Sequence, residues 1–145
     1  MLSWTQVVVT WALVLGGWYV VHLATLSRER RKERRDIAKS AIDALTVLAT
    51  EARDFHSAAT FDSNNADIVI YKTQRIVRSL QRLPLSKLDL PISKMVRLRK
   101  SISLNNADLS SFSTQRTQSP ILQEIRAAID DLVDSIEEMR QARWG

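Results

Sequence analysis

The feature that most constrains this chain is an abrupt change of character near residue 27. From Thr5 to Leu26 no Lys, Arg, Asp or Glu occurs. Immediately afterwards Arg28, Arg30, Arg31, Lys32, Arg34 and Arg35 crowd together. As a helix the apolar run would extend roughly 33 Å, at about 1.5 Å per residue, which matches the hydrocarbon core of a bilayer. A water-soluble helix needs a polar stripe, yet Thr5, Gln6 and Thr10 are the only polar residues in the first half of the run. The sequence therefore predicts a transmembrane anchor over 1–27, a basic juxtamembrane neck over 28–36 and a folded domain over 37–145.

Aromatic residues sit where headgroup-level anchors are expected: Trp4 near one end, Trp18 and Tyr19 toward the other, with Trp11 deeper. His22 falls near the inner boundary, where its ring can reach the headgroups. A cleaved signal peptide carries its positive charges before the apolar run, and a transit peptide is Arg-rich and amphipathic. This run is neither, so an uncleaved anchor is expected. The basic block on one side places the N-terminus outside and the domain in the cytoplasm. The neck is also expected to hold anionic headgroups, at about 1 kcal/mol per basic residue near the surface. Ala12 and Gly16 lie one turn apart and form a small-xxx-small face through which two spans can approach. That face makes a homo-oligomer an expectation.

Beyond the membrane the composition favours helices. The chain has three Gly and three Pro, and after Gly17 the next Gly is Gly145. Hairpins and Gly-rich phosphate loops are thereby disfavoured. Ala38, Ala41, Leu45, Leu48, Ala52, Phe55 and Ala59 follow a 3-4 spacing, the seam of a packed helix, and Ile37, Ile42, Val47 and Ala49 widen it. No Gly or Pro separates the neck from this seam, so the anchor helix is expected to continue into it. Phe61-Asp-Ser-Asn-Asn65 marks a break, because these polar side chains cap and turn. A second helix is expected from about Ala66 to Leu83, with Val69, Ile76, Leu80 and Leu83 inward, Ile68 and Val77 beside them, and Pro84 ending it. Ile68-Val-Ile-Tyr71 has the composition of a strand but no partner strand, so helix is the reading.

Leu85 to Leu90 reads as a linker, with Pro91 in the first turn of a third helix capped by Ser86 or Asp89. Its buried face is expected at Ile92, Met95, Val96 and Ile102. Asn105 to Ser119 reads as a polar loop with Leu109 and Phe112 as plugs. Ser119-Pro120 is an N-cap followed by a first-turn proline. Leu122, Ile125, Ile129, Leu132, Ile136 and Met139 then form the clearest heptad in the chain, with Trp144 just past it. The expected fold is all-α: one N-terminal transmembrane helix continuing into a small cytoplasmic bundle of about four helices, the neighbours antiparallel. A stretch of this length can bury one modest core.

Charge is segregated along the domain of this +5 chain. Lys72, Arg75, Arg78, Arg82, Lys87, Lys94, Arg97, Arg99 and Lys100 face Asp89 alone, whereas Glu124, Asp130, Asp131, Asp134, Glu137 and Glu138 dominate the last helix. Arg75, Arg78 and Arg82 share one helical face. Two readings stand: a basic and an acidic helix lying side by side, or a stripe at Lys72, Arg75, Arg78 and Arg82 that meets anionic lipid or a protein partner. Nucleic acid is disfavoured, because no aromatics interleave with the stripe and no reading motif is present.

Chemistry is sparse. The absence of Cys excludes disulfides, thiolate nucleophiles and Cys-based metal sites. His22 and His56 are the only histidines; His56, at the end of the long helix, is expected to be exposed or capping. Asp130, Asp131 and Asp134 have a spacing that can hold Mg²⁺, but the heptad accounts for them as a solvated face. No phosphate loop, dinucleotide turn or nucleophile elbow occurs. The chain is expected to be non-enzymatic and to bind no cofactor.

Gly17-Trp-Tyr-Val-Val-His22 followed by the basic neck, the loop Leu104-Asn-Asn-Ala-Asp-Leu-Ser-Ser-Phe-Ser113, and the final helix with Ile136-Glu137-Glu138 resemble a loose group of uncharacterised bacterial single-pass membrane proteins. They cover about half the chain, and the neck is denser in alternating Arg and Glu than the resemblance implies. The resemblance implies a bacterial inner-membrane location and supplies no activity. The expected function is a membrane anchor or adaptor that presents its helical domain to a cytoplasmic protein partner. The alternatives are a membrane-perturbing effector acting through oligomerised spans, and a spanin-like lysis protein of opposite topology.

Overall fold

The computed structural model describes residues 4–83, 91–103 and 106–144. It is all-α: α1 spans Trp4–Ser57, α2 Ser63–Gln81, α3 Ile92–Ser103 and α4 Pro120–Trp144. Among the described residues there is no strand, so Ile68 to Tyr71 is helical. The chain forms two compact units, Met1–Arg35 and Asp36–Gly145. The boundary falls inside α1, one residue before the expected end of the neck.

In the first unit α1 has no buried face. Every described side chain from Trp4 to Thr25 is exposed, and Leu26 is half-buried. The segment is long and apolar enough to cross a membrane. Its hydroxyls are satisfied within the helix: Thr10 donates to the Gln6 carbonyl at 2.8 Å and Thr25 to the Val21 carbonyl at 2.9 Å. Such internal pairing is what an apolar solvent demands of a polar group.

The second unit has a largely apolar core. Ala38, Ala41, Leu45, Leu48, Ala52 and Phe55 are all buried, as the 3-4 spacing predicts. Ala59 lies beyond the end of α1 and is exposed, and Val47 faces out instead of widening the seam. α2 begins three residues earlier than expected because Asp62 caps it. The Asp62 Oδ1 accepts from the backbone N–H of Asn64 at 2.9 Å and of Asn65 at 3.3 Å. Its buried face is Ala66, Val69, Thr73, Ile76 and Leu80; Ile68 is exposed. Pro84, the Leu85–Leu90 linker and the caps Ser86 and Asp89 lie outside the described residues.

α3 departs from expectation. Met95, Leu98, Ser101 and Ile102 are buried, whereas Ile92 and Val96 are exposed. Val96 is turned about 100° from Met95 around the helix, so the inward line runs 95-98-102 and Leu98 takes the place assigned to Val96. Ser119 caps α4, its Oγ accepting from the Leu122 N–H at 3.3 Å. The heptad then buries Leu122, Ile125, Ile129, Leu132 and Ile136, with Ala128 between and Met139 half-buried. Trp144 is the last residue of α4 itself.

Residue pairings fix the direction of the helices. Glu51, Asp54 and Phe55 line one groove with Asn65 to Lys72, whereas Ser40 to Val47 line another with Tyr71 to Arg82, so α1 and α2 run antiparallel. Gln115, just before α4, is bonded to the His56 carbonyl at the end of α1, and Leu122 to Asp130 line a groove with Ala49 to Arg53, so α4 also runs against α1. The described elements of the second unit thus form a bundle of four helical segments, α1 supplying one of them.

Candidate interaction surface

An open groove of about 810 Å³ lies between α1 and α2 in the second unit. Two helical lines form its walls. Ser40, Ala44 and Val47 recur at 4-3 spacing on α1, and Tyr71, Arg75, Arg78 and Arg82 recur at 4-3-4 on α2. Ala41 and Ile76 belong to the floor, and both are buried. Among the described residues no acidic side chain lines the groove.

Of the four expected contact residues, Lys72 is engaged by Glu51. The other Glu51 oxygen, Oε2, is buried with no hydrogen-bond partner among the described residues. Arg75, Arg78 and Arg82 are exposed and form no ion pair among the described residues. The surface therefore combines three free guanidiniums, an exposed Tyr71 and an apolar floor. The Tyr71 and α1 contributions were not singled out in the sequence. Tyr71 could have been, since it stands one turn before Arg75 on the same stripe.

Side-by-side basic and acidic helices do occur, but between α3 and α4. Arg97 forks onto Glu124, Nε to Oε1 at 2.8 Å and Nη2 to Oε2 at 3.0 Å, and its Nη1 donates to Asp131. Lys94 donates to the Asp131 carbonyl at 3.1 Å. The Arg97 hydrogen bonds hold the Glu124 carboxyl below its ordinary range, and Glu124 raises Arg97 in turn. Asp131 is thus occupied by a cation. Among the described residues no group of three or more His, Asp or Glu side chains could hold a metal ion.

His56 is the clear correction. It is fully buried, not exposed or capping. The loop after α3 folds over the end of α1, and the Gln115 N–H donates to the His56 carbonyl at 2.8 Å. Phe55 packs edge to face on the His56 ring, and Phe55, Phe61 and Phe112 form an aromatic cluster, with the Phe55 and Phe61 centroids 6.1 Å apart. Phe112 is therefore a plug, whereas Leu109 is exposed. Asn106, at a positive φ of 62° that Asn tolerates, locks the loop. Its Oδ1 accepts from the Ser113 N–H, and its Nδ2 donates to the Ser113 carbonyl at 2.9 Å. The same Nδ2 lies 3.3 Å from His56 Nδ1. With Nδ1 as acceptor the proton sits on Nε2, which is buried without a partner. Burial pushes the His56 pKa from 6.5 down to about 4.

In the first unit the expected interface residues Trp4, Trp18, Tyr19, Arg28, Arg30, Arg31, Lys32 and Arg35 are exposed, and Arg34 is half-buried. Trp18 stacks on His22 at a centroid distance of 5.4 Å. Nothing lies within 4 Å of a Cβ built on Gly16, so the Ala12/Gly16 face is open. Comparison with protein families, with curated proteins and with solved structures finds no match to this chain.

Proposed function

We propose that this chain is a non-enzymatic single-pass membrane anchor that presents its helical bundle to a cytoplasmic protein partner. The observation that carries the reading is the contrast within α1. An apolar, fully exposed segment suits hydrocarbon, and the segment that follows the basic block builds a water-type core. The basic block orients the chain with its N-terminus outside a bacterial inner membrane, and it also holds anionic headgroups. The groove bearing Arg75, Arg78 and Arg82 is the docking surface, since free cations over an apolar floor give a partner both charge and area to read.

Reporter fusions after Gly145 test the topology. A cytoplasm-dependent reporter is expected to be active there and a periplasm-dependent one silent; the reverse pattern overturns the orientation. Site-specific crosslinkers placed at Arg78 in intact cells test the docking surface. A specific protein adduct that disappears on reversing Arg75 and Arg82 to Glu supports it. Loss of membrane potential on expression, abolished by Gly16→Leu, would replace the adaptor with a membrane-perturbing effector.

A further inference from the structure

The two walls of the α1–α2 groove differ in kind. On α1, Ser40 and Ala44 stand one turn apart, and the exposed Val47 continues their row. Such short side chains leave the α1 backbone open to close approach by another helix, since the distance between packed helices is set by the side chains at the contact. On α2, the wall is Tyr71, Arg75, Arg78 and Arg82, all exposed. One side of the groove is small and largely apolar, and the other is cationic.

The cations have no counter-charge of their own. Arg75, Arg78 and Arg82 follow one another at 3-4 spacing, and they form no ion pair among the described residues. Like charges three or four residues apart on a helix destabilise it slightly, and an anion laid along the stripe relieves that repulsion. The shape of the groove narrows what brings the anion. A flat bilayer surface reaches guanidinium tips but not the half-buried Ala44 between the walls. A single nucleic-acid strand stacks its bases on interleaved aromatics, and the stripe has Tyr71 alone. A helix is a rod that lies in a trough between two others. The stretch from Tyr71 to Arg82 runs about 16.5 Å, or about three helical turns.

We propose that the groove takes a helix of about three turns from an acidic partner protein. Carboxylates along one edge of that helix face Arg75, Arg78 and Arg82, and bulky apolar side chains along the adjoining edge lie over Ser40, Ala44 and Val47. This rests on the reading of the groove as a docking surface, and it names the chemistry of what docks. The two walls act together as a filter. An acidic segment without an apolar edge lacks the contact with α1, and an apolar helix without acids covers guanidiniums that it cannot pair.

The test is fluorescence anisotropy on the full-length protein in mild detergent, read against empty micelles. The probe is a labelled synthetic helix of about 18 residues, long enough to hold its fold, with Glu along one edge and Leu along the next. A scrambled peptide of the same composition and a peptide with Lys in place of Glu are expected to bind roughly tenfold more weakly or worse. Binding of the Glu/Leu helix should fall as salt rises. Reversing the stripe (Arg75→Glu, Arg78→Glu, Arg82→Glu) should transfer the preference to the Lys peptide, a change that no folding defect can imitate. Ala44→Leu fills the small wall without altering charge, and should weaken the Glu/Leu helix by roughly tenfold through steric exclusion. Circular dichroism identifies a variant that fails to fold; Arg78→Glu and the exposed Ser40→Leu then carry the same two arms. Equal binding of the Glu/Leu and scrambled peptides overturns the proposal, as does indifference to both wall-filling changes, which means attraction by charge alone. If the helix fails and a different protein is still crosslinked at Arg78 and lost on reversing Arg75 and Arg82, the adaptor reading stands and only the helical partner falls. An adduct that proves to be a second copy of this chain also overturns the proposal.

Discussion

The two parts of α1 share a backbone and differ in what surrounds it. In the first unit Leu13 is 72% exposed; in the second Leu48 is 0% exposed. Neither leucine is unusual as a residue. Around Leu13 the apolar side chains cover the whole circumference, while around Leu48 they fill one line and leave the rest to Lys39, Asp43, Thr46 and Arg53. A stripe calls for a protein neighbour, and a full circumference calls for an apolar solvent. Helix propensity is satisfied in both parts, so the difference lies wholly in side-chain distribution.

One substitution made in both places separates a core leucine from a lipid-type one. Leu48→Ala should destabilise the bundle by about 2–5 kcal/mol, since it empties a closed core. Leu13→Ala should leave the thermal midpoint of the bundle unchanged. Equal losses for the two variants would mean that the first part of α1 is packed like the second.

A slightly smaller effect is expected from pH, again confined to the bundle. The buried His56 has its pKa lowered from 6.5 to about 4, so the unfolded chain takes up the proton first. Stability is then complete above pH 6.5 and falls as pH drops toward 4, by roughly 3 kcal/mol over the window. Denaturation followed across that range should show the decline. In His56→Leu this part of the pH dependence should vanish.

Asp62→Ala removes two accepted backbone hydrogen bonds at the start of α2, and should cost about 1 kcal/mol in thermal or denaturant unfolding. Gly16→Leu is expected to have the least effect on the bundle, because no atom lies within 4 Å of a Cβ there. Its thermal midpoint should match the wild type. If it nevertheless lowers association in detergent, the spans themselves contribute a contact between copies.

Local pattern made most of the helices legible. The α1 and α4 seams are strict 3-4 repeats, and a repeat of that kind states its own inward face. α3 was harder because it is short: with twelve residues, Val96 and Leu98 both look apolar and only the neighbouring helices decide between them. The groove was half legible. Arg75, Arg78 and Arg82 announce a shared face on one helix, but Val47 and Tyr71 join them only once α1 and α2 lie side by side. His56 was not legible at all. Its burial depends on Asn106 and Gln115, some fifty residues away in sequence, and no local period reports a loop that folds back.

The amide of Asn106 spends one N–H and its carbonyl oxygen on the backbone of Ser113, the same donor–acceptor pair a peptide group presents, while Nδ2 also faces His56 Nδ1. A single side chain thereby imitates a length of neighbouring main chain. The ends of the excursion are tied without help from Leu109, Ser110 or Ser111, all of which face outward. The chain between the tie points is consequently a natural port for foreign sequence. A short epitope or fluorophore tag placed between Ser110 and Ser111 would ride on the bundle while leaving both ends of the chain free for other labels.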